Sequence, residues 1–483
     1  MRIFALNFLD MLISFILYFL LLWSVSRFVG TSSNDGFFRG NRQSPWALVA
    51  FGMVGASFSG VTFIGVPGMV LTGDMTYLQM CIGFFFGYLV VAFVLLPVYY
   101  KMRLTSIYGY LQERFDTTCY KTGAWFFIIS KLSSSAAKFY VACLVLHEFV
   151  FSEYGIPYPL TVIVTLFFIW LYTRKSGIKT LVWTDALQTL CLIVALILIM
   201  VRAVDMLGMS YGEAWKAVTE STHARVFDFG DMMSRSNFWK QFLSGVFVVI
   251  VMTGLDQDMM QKNLTCRDLH SAQKDMCSYG ILFMPVNALF LMLGILLTLL
   301  YPHLGMDIPE RGDDLLTGLA ATGMMGNAVV MFFTIGVIAS AFSSADSALT
   351  ALTTSFCVDI LNRDKDDAQS IGLRRRVHIA MVGVFVIFTL AFKWIGSSSV
   401  IDLIYTLVGY TYGPLLGLYA FGMLTKHKPR SRFVPFIAIL SPVLCYLLDT
   451  FTVNHFEYKF GYELLMLNGL LTFAGLWIAS RHN

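Results

Sequence analysis

ASAFSSADSALTALTTSFCVD, residues 339–359, sets a run of hydroxyls and one carboxylate inside a segment otherwise apolar enough to span a membrane. Ser340, Ser343, Ser344 and Ser347 recur at i, i+3, i+4 and i+7, so on an α-helix they form one stripe, which Thr350 and Thr354 continue. Two readings fit the stripe. Small residues let membrane helices approach closely, with hydroxyls bonded back to backbone carbonyls. Alternatively the oxygens coordinate a hard cation such as sodium, since nothing nearby resembles the thiolate and imidazole clusters that hold transition metals. Asp346 favours the second reading: a carboxylate at this depth needs a partner, and packing gives no reason to place one there.

Working outward, 57% of the 483 residues are hydrophobic and only 13% charged, with a mean hydropathy of +0.69. That composition belongs to an all-α polytopic membrane protein. The longest polar stretches, about 205–237 and 304–316, are too short to bury a core of their own. The eight cysteines are scattered without a C-x-x-C pair and read as small buried hydrophobes, not a disulfide or metal framework. The apolar stretch from Phe8 to Phe28 lacks a small-residue cleavage site, so it is expected to be a first transmembrane helix.

Hydropathy predicts about thirteen spans, near 7–29, 46–72, 76–100, 120–150, 157–173, 180–204, 238–261, 276–301, 323–360, 375–393, 397–424, 433–453 and 461–480. Most of the 34 Lys and Arg fall in alternate loops, for example Lys101, Arg103 and Arg114, then Arg174, Lys175 and Lys179, then Arg363, Lys365 and Arg374 to Arg376. The positive-inside rule therefore puts the N-terminus outside and the C-terminus inside. The net charge of +4 reflects this topology and not nucleic-acid binding. Two cations remain within the fourth span. Lys131 is expected to snorkel to the interface or to pair with a carboxylate. Lys138 sits nearer mid-membrane and needs an anion: Asp185, Asp346, or a carboxylate on a substrate.

Four motifs occur in order: FFRGNRQSPWALVAFGMVGASFSGVTFIGVPG (37–68), SGIKTLVWTDALQ (176–188), DQDMMQKNL (256–264) and the serine-rich helix ending SFCVDIL (355–361). Together they resemble the sodium:solute symporter family from the first span to about residue 430. The resemblance implies a five-plus-five inverted-repeat, LeuT-like fold in a single transporter domain, 1–483. Residues 1–30 would be an extra N-terminal helix, 46–204 the first repeat, 238–424 the second, and 433–480 two C-terminal helices. In such folds the first helix of each repeat is broken near the bilayer midplane. Gly52, Gly55, Gly60, Gly65, Pro67 and Gly68 supply a means of breaking the second span.

The resemblance further implies a shared sodium site made of the carbonyls of Gly55, Phe58 and Ser340 with the hydroxyls of Ser343 and Ser344. Neutral oxygens of this kind replace a hydration shell while still permitting release. A second cation site would fall on Asp185, Ser343, Asp346 and Ser347. Here Asp346 departs from the hydroxyl of the two-sodium branch, leaving a stronger sodium site, a proton site or a salt bridge to Lys138 as alternatives. Substrate would meet Ser57, Ser59, Thr62, Gln79, Lys138, Asp256 and Gln257. Lys138 stands where the sialic-acid branch carries an Arg, which suggests an anionic solute such as a sialic acid or another sugar acid read by a point charge. Asp256 would otherwise pair with Lys262 or Arg267.

The function expected is sodium-coupled symport in the cell inner membrane by a monomer, with sodium as coupling ion and no cofactor. Neutral sugars, polyols and amino acids stay open as substrates, and an ion channel or membrane sensor stays open as a different class. An enzyme is not expected, because the eight histidines sit at span ends and loops and form no catalytic or metal set.

Overall fold

The computed structural model describes residues 8–30, 33–58, 60–174, 177–393 and 400–480; Ser59, Lys175 and Ser176 lie outside them. Helix α1 spans Phe8–Val29. The short α2 (Asn34–Arg39) precedes α3 (Trp46–Ser57), which continues as α4 (Gly60–Gly68). The chain goes on through α5 (Tyr77–Lys101), α6 (Thr117–Leu146), α7 (Tyr158–Thr173) and α8 (Ile178–Met206). After a polar stretch come α9 (Phe238–Gly254), α10 (Gln257–Asn263), α11 (Leu269–His303), α12 (Asn327–Ser355), α13 (Ala368–Phe392) and α14 (Val400–Leu424). Two more follow, α15 (Val434–Phe456) and α16 (Leu464–Ser480).

Among the described residues eight helices are long and apolar enough to cross a membrane, two bent pairs are so when each pair is taken together, and three helices are shorter and apolar. The 35-residue α11 is about 52 Å long at 1.5 Å per residue, so it extends well past an apolar layer of about 30 Å. The polar stretch after α8 carries its own helix, Tyr211–Thr219, opened by a capping box in which Ser210 and Glu213 satisfy each other's backbone N–H.

Two helix pairs are bent at short breaks. The chain turns by 65° between Trp46–Ser57 and Val61–Gly73, and by 70° between α9 and α10. At the first break Phe58 leaves helical geometry (φ −82°, ψ 94°), and its ring stacks on Phe283 of α11 at 4.7 Å. At the second, a widened turn over Ile250–Gly254 leads into Asp256 (φ −102°, ψ 118°), whose side chain caps α10 by accepting from the Asp258 N–H. Each break thus leaves backbone groups unpaired by helix and surrounded by protein, where such groups are tolerated.

The helix α8 packs against both α3 and α12, and this three-helix contact brings Asp185 and Thr189 of α8 beside Gly55 and the serine stripe. Close approach requires Gly55, because a side chain there would run into Thr189 of α8. Across the molecule Gly83 of α5 and Gly245 of α9 face one another in the same way. A single backbone bridge, Ser44 to Cys266, joins the segment entering α3 to the segment leaving α10. All eight cysteines are free thiols.

Candidate functional site

A cavity of about 130 Å³ opens beside both breaks. One wall is aromatic: Phe84, Tyr88, Tyr279 and Phe283, with Tyr88 donating to Tyr279 at 2.8 Å. The Ser57 hydroxyl closes that wall by a short contact with the Tyr279 phenol, and Thr62 also lines the space. Facing them is α6, which presents Lys131, Ser134, Ser135 and Lys138. A second space of about 770 Å³ shares Tyr77 with the cavity, and Tyr77 meets Tyr405 hydroxyl to hydroxyl at 3.3 Å.

The charges divide sharply. Lys131 holds Asp258 at 2.7 Å and Asp256 at 3.1 Å. Lys262 holds Asp185 at 2.8 Å and lies 3.8 Å from Asp258. Asp256 also accepts from the Tyr412 hydroxyl at 2.7 Å. By contrast Lys138 is half-buried against the cavity, and among the described residues no carboxylate lies within ion-pair distance of its ammonium.

These pairings correct several expectations. Lys138 has neither Asp185 nor Asp346 as its anion: Asp185 is claimed by Lys262, and Asp346 accepts from Tyr172 of α7 at 2.5 Å. Asp256 pairs with Lys131, not with Lys262 or Arg267. It borders the cavity, yet its oxygens are committed to Lys131, Tyr412 and the Asp258 N–H, so it has little left to offer a substrate amine or hydroxyl. Gln79 points away from the cavity, donating to the Ser236 carbonyl at 2.8 Å and accepting from the Asp228 N–H at 2.9 Å. It anchors the loop before α9, where the Ser236 hydroxyl and the Gly230 N–H hold the Asp228 carboxyl below its usual range. Gln257 is likewise spent, accepting from the Ile107 N–H at 2.9 Å and donating to the Thr105 carbonyl at 3.0 Å. The physical reason is common to both: a polar side chain on a membrane helix turns to whichever unpaired backbone is nearest, and loop backbone outcompetes an open cavity.

The serine stripe lies on the face of α12 turned to α8, and all of it is buried. Ser343 donates to Asp185 at 2.8 Å, and the Ser340 hydroxyl returns to the Val337 carbonyl at 2.8 Å, leaving the Ser340 contribution to its backbone. The hydroxyls of Ser344 and Ser347, one oxygen of Asp346 and both polar atoms of Gln188 are buried with no hydrogen-bond partner. So many unpaired oxygens on one interface, each costly to bury alone, suit a bound cation. Tyr18 of α1 and Tyr172 of α7 both pack on Phe342 of the same helix, at 5.9 and 6.4 Å.

Sequence reasoning missed Asp258, Tyr172 and the aromatic wall. Asp258 and Lys262 stand four apart in DQDMMQKNL, and two opposite charges one turn apart inside a membrane segment were a legible signal.

The chain is 25% identical to the human sodium/iodide cotransporter over 410 residues, 82% of this chain and 62% of that longer protein. To the sodium/sialic acid symporter of Aliivibrio fischeri it is 23% identical over 455 residues, covering 91% of this chain and 88% of the relative. The fold matches that of a Na+-coupled sialic acid symporter in a substrate-bound outward-open state, with a TM-score of 0.82 over 98% of each chain at 18% identity. With residues 37–430 matching the model of the sodium:solute symporter family, the chain belongs to that family.

Proposed function

We propose that this protein couples sodium entry to uptake of a small organic monoanion, a sialic acid or related acid. One observation carries the reading: Lys138 offers a cavity-facing ammonium with no carboxylate within reach among the described residues, beside the Ser134 and Ser135 hydroxyls. Leaving a cation so placed is expensive unless an anion arrives. The cargoes named for the relatives, iodide and sialic acid, each bear one negative charge, which supports the same reading.

Sodium would take the Gly55, Phe58 and Ser340 carbonyls with the Ser343 and Ser344 hydroxyls, tying α3 to α12. The bare Ser344 oxygen supports that assignment. A second cation would sit at Asp185, Ser343, Asp346 and Ser347, with Asp346 as its charged ligand because Lys262 already neutralises Asp185. Ser57 and Thr62 would contact the substrate with Lys138. Sodium bound in this way stabilises the outward-open arrangement and shapes the cavity, and the substrate by linkage tightens sodium. The membrane potential adds about 2.3 kcal/mol per charge per 100 mV.

The same reading takes the chain as one transporter domain of thirteen spans with two inverted repeats, N-terminus out and C-terminus in. It works as a monomer in a cell inner membrane. Reconstituted protein tests it: labelled sialic acid should accumulate under an inward sodium gradient and not under potassium, with unlabelled monoanions competing and neutral sugars failing to compete. Uptake indifferent to sodium, or competed only by neutral sugars, would refute it.

A further inference from the structure

Five charged side chains run in file between the sodium ligands and the cavity. Ser343 donates to one oxygen of Asp185, and the other oxygen holds Lys262, each at 2.8 Å. Lys262 faces Asp258 at 3.8 Å; Asp258 holds Lys131 at 2.7 Å, and Lys131 holds Asp256 at 3.1 Å. The last three line the cavity together with Lys138. The file joins three helices, α8, α10 and α6, and Ser343 adds α12 at its start. Its middle is dry, with side-chain exposures of 2% for Lys262 and 1% for Asp185, so the charges act on one another with little screening.

Among the described residues Lys262 is the only cation that reaches both an acid beside the sodium ligands and an acid beside the cavity, and it leans toward the former by a full ångström. We propose that Lys262 is a positioning residue that transmits sodium binding to the substrate cavity. A sodium ion on the Ser343 hydroxyl draws on the charge of Asp185 and repels the Lys262 ammonium. Lys262 then shifts toward Asp258, whose hold on Lys131 slackens, and the positive potential around Lys131 and Lys138 rises. An anion binds better there, and by reciprocity its binding tightens sodium. The inference rests on the anion-symport reading and adds the route by which its two sites communicate.

The test is the ratio of substrate affinities with and without sodium, measured on the purified full-length protein by equilibrium binding of sialic acid in sodium or choline chloride. Lactate and iodide serve as further probes. For the unaltered protein the ratio should be on the order of 10 or more, within the usual range of coupling factors. Lys262→Arg should keep most of it, because the cation and both acids remain. Lys262→Met should bring the ratio to within about twofold of one while the probe still binds. Since that change strips Asp185 of its counter-ion, Lys262→Met with Asp185→Asn is measured beside it, as a pair without an orphaned charge. If the double variant folds and keeps the unaltered ratio, Lys262 is a structural ion pair and the inference is wrong. If the unaltered protein shows no sodium-dependent binding of any probe, the symport reading fails first and this inference with it.

Discussion

Tyr172 of α7 gives its hydroxyl to Asp346 of α12 at 2.5 Å, and the acid's other oxygen meets no donor. That half-satisfied carboxylate is fully buried in the serine stripe, and Lys262 is engaged with Asp185 instead. Asp346→Asn should therefore fold, since the amide oxygen still accepts from Tyr172, yet lose the charge that holds a second cation. Reversal potentials on reconstituted protein should fall by one sodium per substrate. An unchanged stoichiometry would remove Asp346 from ion binding. Adding Lys138→Met should rescue nothing, because those two residues are not paired.

Ser344 and Ser343 are predicted to separate ion binding from stability. Ser344→Ala removes a hydroxyl that has no partner in the protein, so its thermal midpoint should hold while half-saturating sodium rises by about tenfold, equivalent to about 1.4 kcal/mol. Ser343→Ala also loses the bond to Asp185 and should cost about 1 kcal/mol of stability in addition. Sodium titrations of uptake, with thermal unfolding alongside, check both; equal sodium dependence in all three proteins would sink the shared site.

Lys138→Gln should raise the half-saturation constant for an acidic substrate by about 100-fold, the equivalent of about 3 kcal/mol for a charged hydrogen bond, and change little for a neutral analogue of the same shape. Lys138→Arg should retain partial transport. Competition uptake with the acid and its amide makes the comparison, and equal losses for both would show that Lys138 reads shape, not charge.

Lys131 should behave as a structural cation. Lys131→Met leaves Asp256 and Asp258 to share a buried region without it, and should cost about 3–5 kcal/mol. Adding Asp258→Asn should restore much of that. A Lys131→Met protein with unaltered thermal stability would contradict the pairing.

Gln79→Ala should leave substrate affinity within about twofold, since its amide is committed to the Asp228 and Ser236 backbone. Proteolysis of the loop before α9 should speed up. A large rise in half-saturation constant with an intact loop would return Gln79 to the substrate site.

The sequence by itself determined the class, the family resemblance and the hydroxyl stripe along one helix face. These are periodic or compositional properties: a bilayer demands long apolar helices, and a 3.6-residue period shows which hydroxyls share a face. Glycine and proline between Gly52 and Gly68 announced the first break; the second, at Leu255 to Asp256, carries only Gly254 and came with the family resemblance. What only tertiary structure decided is the partner of each buried charge. Lys131, Lys138, Asp185, Asp256, Asp258, Lys262 and Asp346 come from four helices, Asp256 as the cap of α10, and residues far apart in the chain pair as the rotations of those helices allow. A turn of about 100° per residue separates an amide that reaches a cavity from one that seals a loop, as Gln79 and Gln257 show. Lys138 is left facing open space because Lys131, two turns earlier on the same helix, meets both acids of α10 first.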